Sequence, residues 1–177
     1  MPFTFLVGGA RSGKSRLAVR LASAFEGPVV VVVVATAEAR DDEMLDRIRA
    51  HRSARPAEWV TAEAPLHPLA AVEGIDEKAC VILDCLTLWV SNALEAGGSE
   101  DAIDGEARTL ASILAGRDAP SVVVSNEVGL GIVPANELAR RYRDVLGRVN
   151  GSFADEASRS FLVVAGHGLP LQEVTSS

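Results

Sequence analysis

The sequence contains few of the residue types that mark specialised classes of protein. Its 177 residues include 2 cysteines, 3 histidines and 5% aromatic residues. So little cysteine excludes a disulfide-stapled scaffold. Cys80 and Cys85 match neither a zinc-binding nor a redox spacing. We therefore expect both to be buried, reduced thiols.

Positive charge is also scarce. The chain has 17 Lys and Arg against 24 Asp and Glu, a net charge of −7, which argues against a nucleic-acid-binding surface but not against a single nucleotide in a pocket. The valine run 29–34 is too short to cross a bilayer, and the first residues lack the pattern of a secretory signal. We expect a cytoplasmic protein with no membrane span and no nucleic-acid partner.

Apolar, β-branched segments alternate with helical patterns along the chain. Continuously apolar strands are typical of parallel sheets buried on both faces, and strand–helix alternation gives right-handed crossovers. The pattern predicts a single α/β domain over 1–177, of the P-loop (RecA-like) type, with a mostly parallel central sheet flanked by helices. The strand candidates are Phe3–Val7, Val29–Val34, Cys80–Asp84, Val122–Ser125 and Phe161–Ala165, with weaker ones at Trp59–Thr61 and Leu169–Leu171. The helix candidates are Lys14–Phe25, Asp42–Arg55, Leu86–Glu95, Asp101–Leu114 and Ala135–Val149, the last with an extension toward Ser158.

The segment after the first strand matches the phosphate-binding motif G-x-x-x-x-G-K-[ST] at every fixed position. Its residues are Gly8, Gly9, Ala10, Arg11, Ser12, Gly13, Lys14 and Ser15. Backbone N–H groups of such a loop and of the following helix converge on phosphate oxygens. Lys14 is one of only two lysines in the chain, and its ammonium is expected on the terminal phosphates. The Ser15 hydroxyl is expected to bind Mg²⁺.

A second polar position follows the apolar run Val81–Leu83. Asp84 ends this strand in the manner of a Walker B element, where a carboxylate can hold Mg²⁺ alongside Ser15. The alternative is that Asp84 caps the helix that begins near Leu86.

His51 lies on the third predicted helix, among arginines. Its 3–4 spacing with Met44 and Ile48 suits a half-buried structural histidine. Arg47, Arg52 and Arg55 instead suit contact with a polyanion, and their charge favours a neutral, nucleophilic imidazole. The residues alone leave both interpretations open, whereas His67 and His167 are expected to be structural.

Taken together, these motifs resemble the bifunctional adenosylcobinamide kinase/adenosylcobinamide-phosphate guanylyltransferases of cobalamin biosynthesis. The resemblance extends over essentially the whole chain. Besides the P-loop, it includes Ala35-Thr36-Ala37, Asp41–Met44, Arg47-Ile48, His51-Arg52, Arg55-Pro56 with Trp59, Thr61–Glu63, Leu83–Thr87, Ser125–Pro134, Gly147–Asn150 and Leu162–Gly166.

The resemblance implies two successive reactions, with Mg²⁺ as cofactor and GTP and ATP as substrates. ATP or GTP phosphorylates adenosylcobinamide, and GTP then donates GMP to adenosylcobinamide phosphate, giving adenosylcobinamide-GDP and pyrophosphate. The family holds the GMP covalently on a histidine, which corresponds to His51 here. The resemblance also implies a homo-oligomer, usually a trimer.

The resemblance further implies which side chains contact the nucleotide. Beyond the P-loop, the expected contacts are Ala35, Thr36, Ala37, Arg52, Ser53, Ala54, Arg55, Glu63 and Asp84. Glu63 could accept hydrogen bonds from guanine and so select the base. The segment Asn126–Gly129 is either a structural glycine loop or a corrinoid contact.

Two other functions compete with this one. The first is a small-molecule kinase without guanylyltransferase activity, in which His51 is structural. The second is a GTP-dependent switch protein, although the sequence has no guanine-recognition N-K-x-D.

Overall fold

A seven-stranded sheet organises the part of the chain that the structure describes. The structure is a computed structural model that describes residues 3–33 and 55–173. The strands are β1 (Thr4–Gly8), β2 (Val29–Val33), β3 (Val60–Glu63), β4 (Cys80–Asp84), β5 (Ser121–Asn126), β6 (Arg159–Val164) and β7 (His167–Leu171). The helices of the described residues are α1 (Lys14–Ala22), α2 (Pro68–Glu73), α3 (Leu86–Glu95), α4 (Glu100–Gly116) and α5 (Glu137–Glu156).

The strand order is β3-β2-β4-β5-β1-β6-β7. Every neighbouring pair is parallel except β6 and β7, which form an antiparallel hairpin at one edge. The carboxyl ends of the first six strands therefore lie at one edge of the sheet, where ligands bind in open α/β folds. The prediction of a P-loop α/β domain with a mostly parallel sheet is confirmed.

Apolar layers cover both faces of the sheet. On β1, the buried Phe5 belongs to one layer and Leu6 to the other, because successive residues of a strand point to opposite faces. The Phe5 layer is the larger and contains Trp89 of α3 and Phe153 of α5. Phe5 and Phe153 stack with ring centroids 6.3 Å apart. On the other face, Ala18 of α1 packs in the same cluster as Leu6.

Most element boundaries agree with the sequence to within about two residues, the usual uncertainty of helix and strand ends. Helix α1 is shorter than predicted and ends at Ala22, before the turn that leads to Pro28. Helix α2 was not predicted, because its six residues are too few to show a periodic pattern. The predicted helix Asp42–Arg55 lies almost wholly outside the described residues. Within the described part, no helix is both long and apolar enough to cross a membrane.

Candidate functional site

The P-loop connects the carboxyl end of β1 to the first turn of α1. Arg11 and Gly13 adopt left-handed conformations, with φ of 57° and 102°. Gly13 is the N-cap of α1, and only glycine enters this conformation without a steric penalty. Gly8 is confined for a different reason, because a Cβ there would lie 2.3 Å from the carbonyl oxygen of Val163 on β6. The loop thus has the backbone turn that its sequence motif predicts.

Lys14 is folded into the loop and is only 6% exposed. Its ammonium donates to the carbonyl oxygens of Gly8 at 2.8 Å and Gly9 at 2.7 Å, and to Ser12 Oγ at 3.3 Å. These three bonds use all three N–H donors of the ammonium, so a phosphate can be bound only by exchanging at least one of them. Burial lowers the pKa of Lys14, against the opposing effects of Cys85 and Asp84.

The β6–β7 turn buttresses the P-loop from the side. The backbone N–H of Gly166 donates to the carbonyl oxygen of Ser12 at 2.7 Å. A Cβ on Gly13 would lie 3.0 Å from Cα of Gly166, so the two glycines are in close contact. This contact between the β6–β7 turn and the P-loop was not predicted from the sequence. A glycine after an apolar strand is typical of a turn, but nothing in the sequence pairs such a turn with a loop about 150 positions earlier.

Asp84 is the last residue of β4 and forms an ion pair with Arg55. The Arg55 guanidinium donates to Asp84 Oδ2 at 3.0 Å, and the two side chains are only 9% and 12% exposed. The N-cap position of α3 is Cys85 rather than Asp84. The carboxylate therefore contacts a cation at the carboxyl edge of the sheet and does not occupy the N-cap position of the helix. It is also close enough to Lys14 to raise the pKa of that ammonium.

Strand register places the two predicted acidic site residues in one row. Glu63 on β3 pairs with Val33 on β2, which in turn pairs with Asp84 on β4. Two strand spacings separate the backbones of Glu63 and Asp84 by roughly 10 Å. The P-loop follows β1, two strands beyond β4. A nucleotide that contacts both Glu63 and the P-loop must therefore lie across the carboxyl ends of β2, β4 and β5.

The end of β5 is fixed beside the P-loop by hydrogen bonds. The backbone N–H of Glu127 donates to the carbonyl oxygen of Gly8 at 3.1 Å. Asn126 donates through its backbone N–H to Thr87 Oγ1 at 2.9 Å, and its carbonyl oxygen accepts from Asn150 Nδ2 at 3.0 Å. Asn150 Oδ1 also accepts from Ser125 Oγ at 2.6 Å. The loop that begins here is therefore anchored to the nucleotide site.

The donors predicted for Mg²⁺ among the described residues are the Ser15 hydroxyl and the Asp84 carboxylate. The described residues contain no cluster of three or more His, Cys, Asp or Glu side chains able to hold a metal ion. Mg²⁺ needs no such cluster, because it commonly takes one or two protein oxygens and completes its shell with phosphate oxygens and water. Ser15 after the P-loop and Asp84 at the end of β4 fit that donor set.

Both cysteines are free thiols. Burial raises the pKa of Cys80 to about 11. Burial also raises the pKa of Cys85, with a further contribution from Asp84. Cys80 is buried as expected, whereas Cys85 is half-buried, so the expectation of two buried thiols is correct for Cys80 alone.

Several predicted site residues cannot be placed in this geometry, because they lie outside the described residues. They are Ala35, Thr36, Ala37, His51, Arg52, Ser53 and Ala54. The chain leaves the described part at Val33, the end of β2, and re-enters it at Arg55. Both points lie at the carboxyl edge of the sheet, because Val33 ends its strand and Arg55 is bound to Asp84.

Comparisons with known proteins give one consistent result. A sequence model of the family described as "Cobinamide kinase / cobinamide phosphate guanyltransferase" matches residues 4–171. The bifunctional adenosylcobalamin biosynthesis protein CobP of Pseudomonas aeruginosa is 44% identical over 168 residues, covering 94% of this chain and 95% of its own. The proteins named CobU from Salmonella typhimurium and Escherichia coli are 41% and 39% identical, each covering 94% of this chain and 98% of its own.

Solved structures of low sequence identity share the fold. A protein from Pyrococcus horikoshii OT3 superposes with a TM-score of 0.58 at 6% identity, over 98% of this chain and 87% of its own. A prototypical ATPase from a bacterial type III secretion system superposes with a TM-score of 0.50 at 11% identity, over 91% of this chain and 50% of its own. These likenesses show a shared fold alone.

Proposed function

The chain belongs to the cobinamide kinase / cobinamide phosphate guanyltransferase family, and we propose that it carries out both reactions on adenosylcobinamide through a histidine–GMP intermediate. The observation that carries the proposal is the P-loop with its buried Lys14, within a family match that spans residues 4–171. We also propose that residues 1–177 form a single domain that carries out both reactions.

In the kinase step, the aminopropanol hydroxyl of adenosylcobinamide attacks the γ-phosphorus of ATP or GTP, and the nucleoside diphosphate leaves. The P-loop backbone holds the phosphates, and Lys14 exchanges a carbonyl partner for a phosphate oxygen. Because Lys14 is already buried, its charge acts in a site where water screens it little. This arrangement stabilises the negative charge that spreads over the transferring phosphoryl group.

In the transfer step, an imidazole nitrogen of His51 attacks the α-phosphorus of GTP, and pyrophosphate leaves. A phosphate oxygen of adenosylcobinamide phosphate then attacks the same phosphorus. The new P–O bond forms as the P–N bond to His51 breaks, which gives adenosylcobinamide-GDP. His51 stands four positions before Arg55 in the sequence, and four residues span at most roughly 14 Å. A nucleophile at position 51 is therefore within chain reach of the edge where Arg55 binds Asp84.

The remaining expected contacts complete the nucleotide site. Ser15 and Asp84 would hold Mg²⁺, which supplies charge neutralisation on the phosphates. Glu63, exposed at the end of β3, would accept hydrogen bonds from guanine N1–H and its amino group. In this proposal the base and the triphosphate lie at opposite ends of the site, and the separation of β3 from β1 in the sheet supports that arrangement. Arg55 and the segments 35–37 and 52–54 are proposed to contact the nucleotide between those ends.

Covalent labelling tests the transfer step. Protein incubated with Mg²⁺ and α-labelled GTP, then denatured, is expected to retain label that acid removes and base does not, as a phosphoramidate would. His51→Ala should abolish the label. His67→Ala is the matched control, because His67 lies at the exposed start of α2 and should leave labelling intact.

The same preparation separates the alternatives. Label on the His51→Ala variant would exclude the proposed nucleophile. No label on a wild-type protein that binds GTP and phosphorylates cobinamide would identify a kinase without transferase activity. GTP hydrolysis with neither reaction would favour a switch protein. Sedimentation velocity on the same sample tests the proposed homo-oligomer, for which a trimer is expected.

A further inference from the structure

The loop between β5 and α5 presents apolar side chains to solvent. Within Val128–Pro134, here called the apolar loop, Leu130 is 84% exposed and Ile132 is 97% exposed. Val133 is exposed as well, and so is Leu138 in the first turn of α5. Single exposed apolar residues are ordinary on protein surfaces, whereas a contiguous group marks a contact site.

The loop is tethered at both ends, so its exposed side chains are displayed from a fixed backbone. At its start, the backbone N–H of Gly129 donates to the carboxylate of Glu127. At its end, the Arg140 guanidinium donates to the carbonyl oxygens of Pro134 at 2.9 Å and Ala135 at 2.6 Å. Polar groups thus fix the backbone while the apolar groups face outward, the reverse of their usual distribution.

The apolar loop continues directly from the phosphate site. Glu127 is bonded to Gly8 of the P-loop at 3.1 Å, and Leu130 follows three residues later. Three residues span at most roughly 11 Å. A molecule that rests on the apolar loop can therefore extend a short arm to the phosphates held by the P-loop.

The side chains of the loop do not suit the triphosphate of a nucleotide. Residues 128–134 carry no charged side chain and no hydroxyl, so these side chains offer a triphosphate neither a counter-charge nor a hydrogen bond. They offer dispersion contact and removal of apolar surface from water. They therefore suit a molecule that has apolar surface of its own.

We propose that the apolar loop is the binding surface for the corrin ring of the acceptor. This inference rests on the proposed function, in which the acceptor is cobinamide or its phosphate. A corrin is a wide macrocycle whose rim carries methyl groups between amide-bearing side chains, and the reacting hydroxyl is on an arm that leaves the ring. Ring contact with Leu130 and Ile132 would direct that arm toward the P-loop. The loop therefore determines acceptor affinity and takes no part in the chemistry at phosphorus.

The test is the double variant Leu130→Ser/Ile132→Ser in the full-length protein. Because both side chains are exposed, the thermal unfolding midpoint should not change. Equilibrium dialysis with cobinamide, quantified by corrin absorbance, should show a Kd at least tenfold higher, a loss of about 1.4 kcal/mol. The Kd for a fluorescent GTP analogue and the labelling by GTP alone should match the wild type. The control is Leu169→Ser/Leu171→Ser on β7, which removes exposed leucines at the far edge of the sheet and should not alter cobinamide affinity.

Three results would overturn the inference while leaving the proposed function intact. The first is an unchanged cobinamide Kd in the Leu130/Ile132 variant. The second is an equal loss in the β7 control. The third is a smaller sedimenting species in the Leu130/Ile132 variant, which would assign the loop to contact between copies of the chain. A wild-type protein that binds GTP but no cobinamide would overturn the proposed function and the inference together.

Discussion

Adjacent glycines of the P-loop should respond in opposite ways to the same substitution. Gly8 and Gly9 are neighbours in sequence, and neither has the positive φ that would strain an alanine. At Gly8 a new Cβ would lie 2.3 Å from the Val163 carbonyl oxygen, whereas at Gly9 no atom lies within 4 Å. Comparing the stabilities of Gly8→Ala and Gly9→Ala therefore isolates the effect of packing between β1 and β6.

The magnitude follows from that contact. A carbon and a carbonyl oxygen normally approach to about 3.3 Å, so Gly8→Ala requires a displacement of about 1 Å. The obstacle is backbone within β6, which is paired with strands on both sides and cannot rotate away. Overpacking of this kind costs about 1–3 kcal/mol. Where the backbone conformation permits alanine, replacing glycine by alanine stabilises the folded protein by about 0.4–1 kcal/mol, because it lowers the conformational entropy of the unfolded chain. This gain applies to both variants. We expect Gly8→Ala to be less stable than Gly9→Ala by about 2 kcal/mol.

Urea unfolding followed by tryptophan fluorescence measures this difference, because Trp89 is fully buried in the core. Gly8→Ala should also raise the Kd for a fluorescent GTP analogue. Displacement of Val163 moves the nearby turn in which Gly166 holds Ser12. Equal unfolding free energies for the two variants would refute the claim that β6 confines the P-loop.

Three further predictions concern other parts of the chain. Gly166→Ala and Gly97→Ala place alanine at similar φ of 81° and 84°, so each should lose about 1–2 kcal/mol of stability, but only Gly166→Ala should weaken GTP binding. Arg117→Met should lower the free energy of unfolding by about 3 kcal/mol, because the buried guanidinium donates to the carbonyl oxygens of Ile75, Asp76 and Ala79; Arg108→Met, at an exposed position of helix α4, which ends just before Arg117, should change it by less than about 0.5 kcal/mol. Tyr142 is the only tyrosine, and burial, followed by the effect of Cys85, raises its pKa to about 12. Absorbance at 295 nm should therefore show phenol ionisation near pH 12 in the folded protein. The folded state holds this proton more tightly than the unfolded state, so unfolding should become easier as pH rises from about 10 to 12; ionisation near pH 10 in the folded protein would contradict the burial argument.

The fold could be predicted because its signals are local. Each of these signals depends on residues within one segment: the apolar strands, the P-loop sequence motif and the acidic residue at the end of β4. The contacts that shape the site join distant segments instead. The Gly166–Ser12 and Arg55–Asp84 hydrogen bonds follow from strand order, which a single sequence does not specify. The exposure of Leu130 and Ile132 could not be predicted either, because leucine and isoleucine are usually buried and are therefore assigned to the core from sequence alone.

Asp84 links the two halves of the proposed reaction. One carboxylate offers about four lone-pair positions, so it can hold Mg²⁺ through one oxygen while Oδ2 accepts from Arg55. The metal would act on phosphates held by the P-loop, and Arg55 is the residue at which the chain returns from the segment that contains His51. The same side chain is therefore placed to influence the phosphates and to fix the end of the segment that contains the proposed nucleophile. In the proposed function both reactions use phosphates bound at the P-loop, so this one carboxylate would serve both.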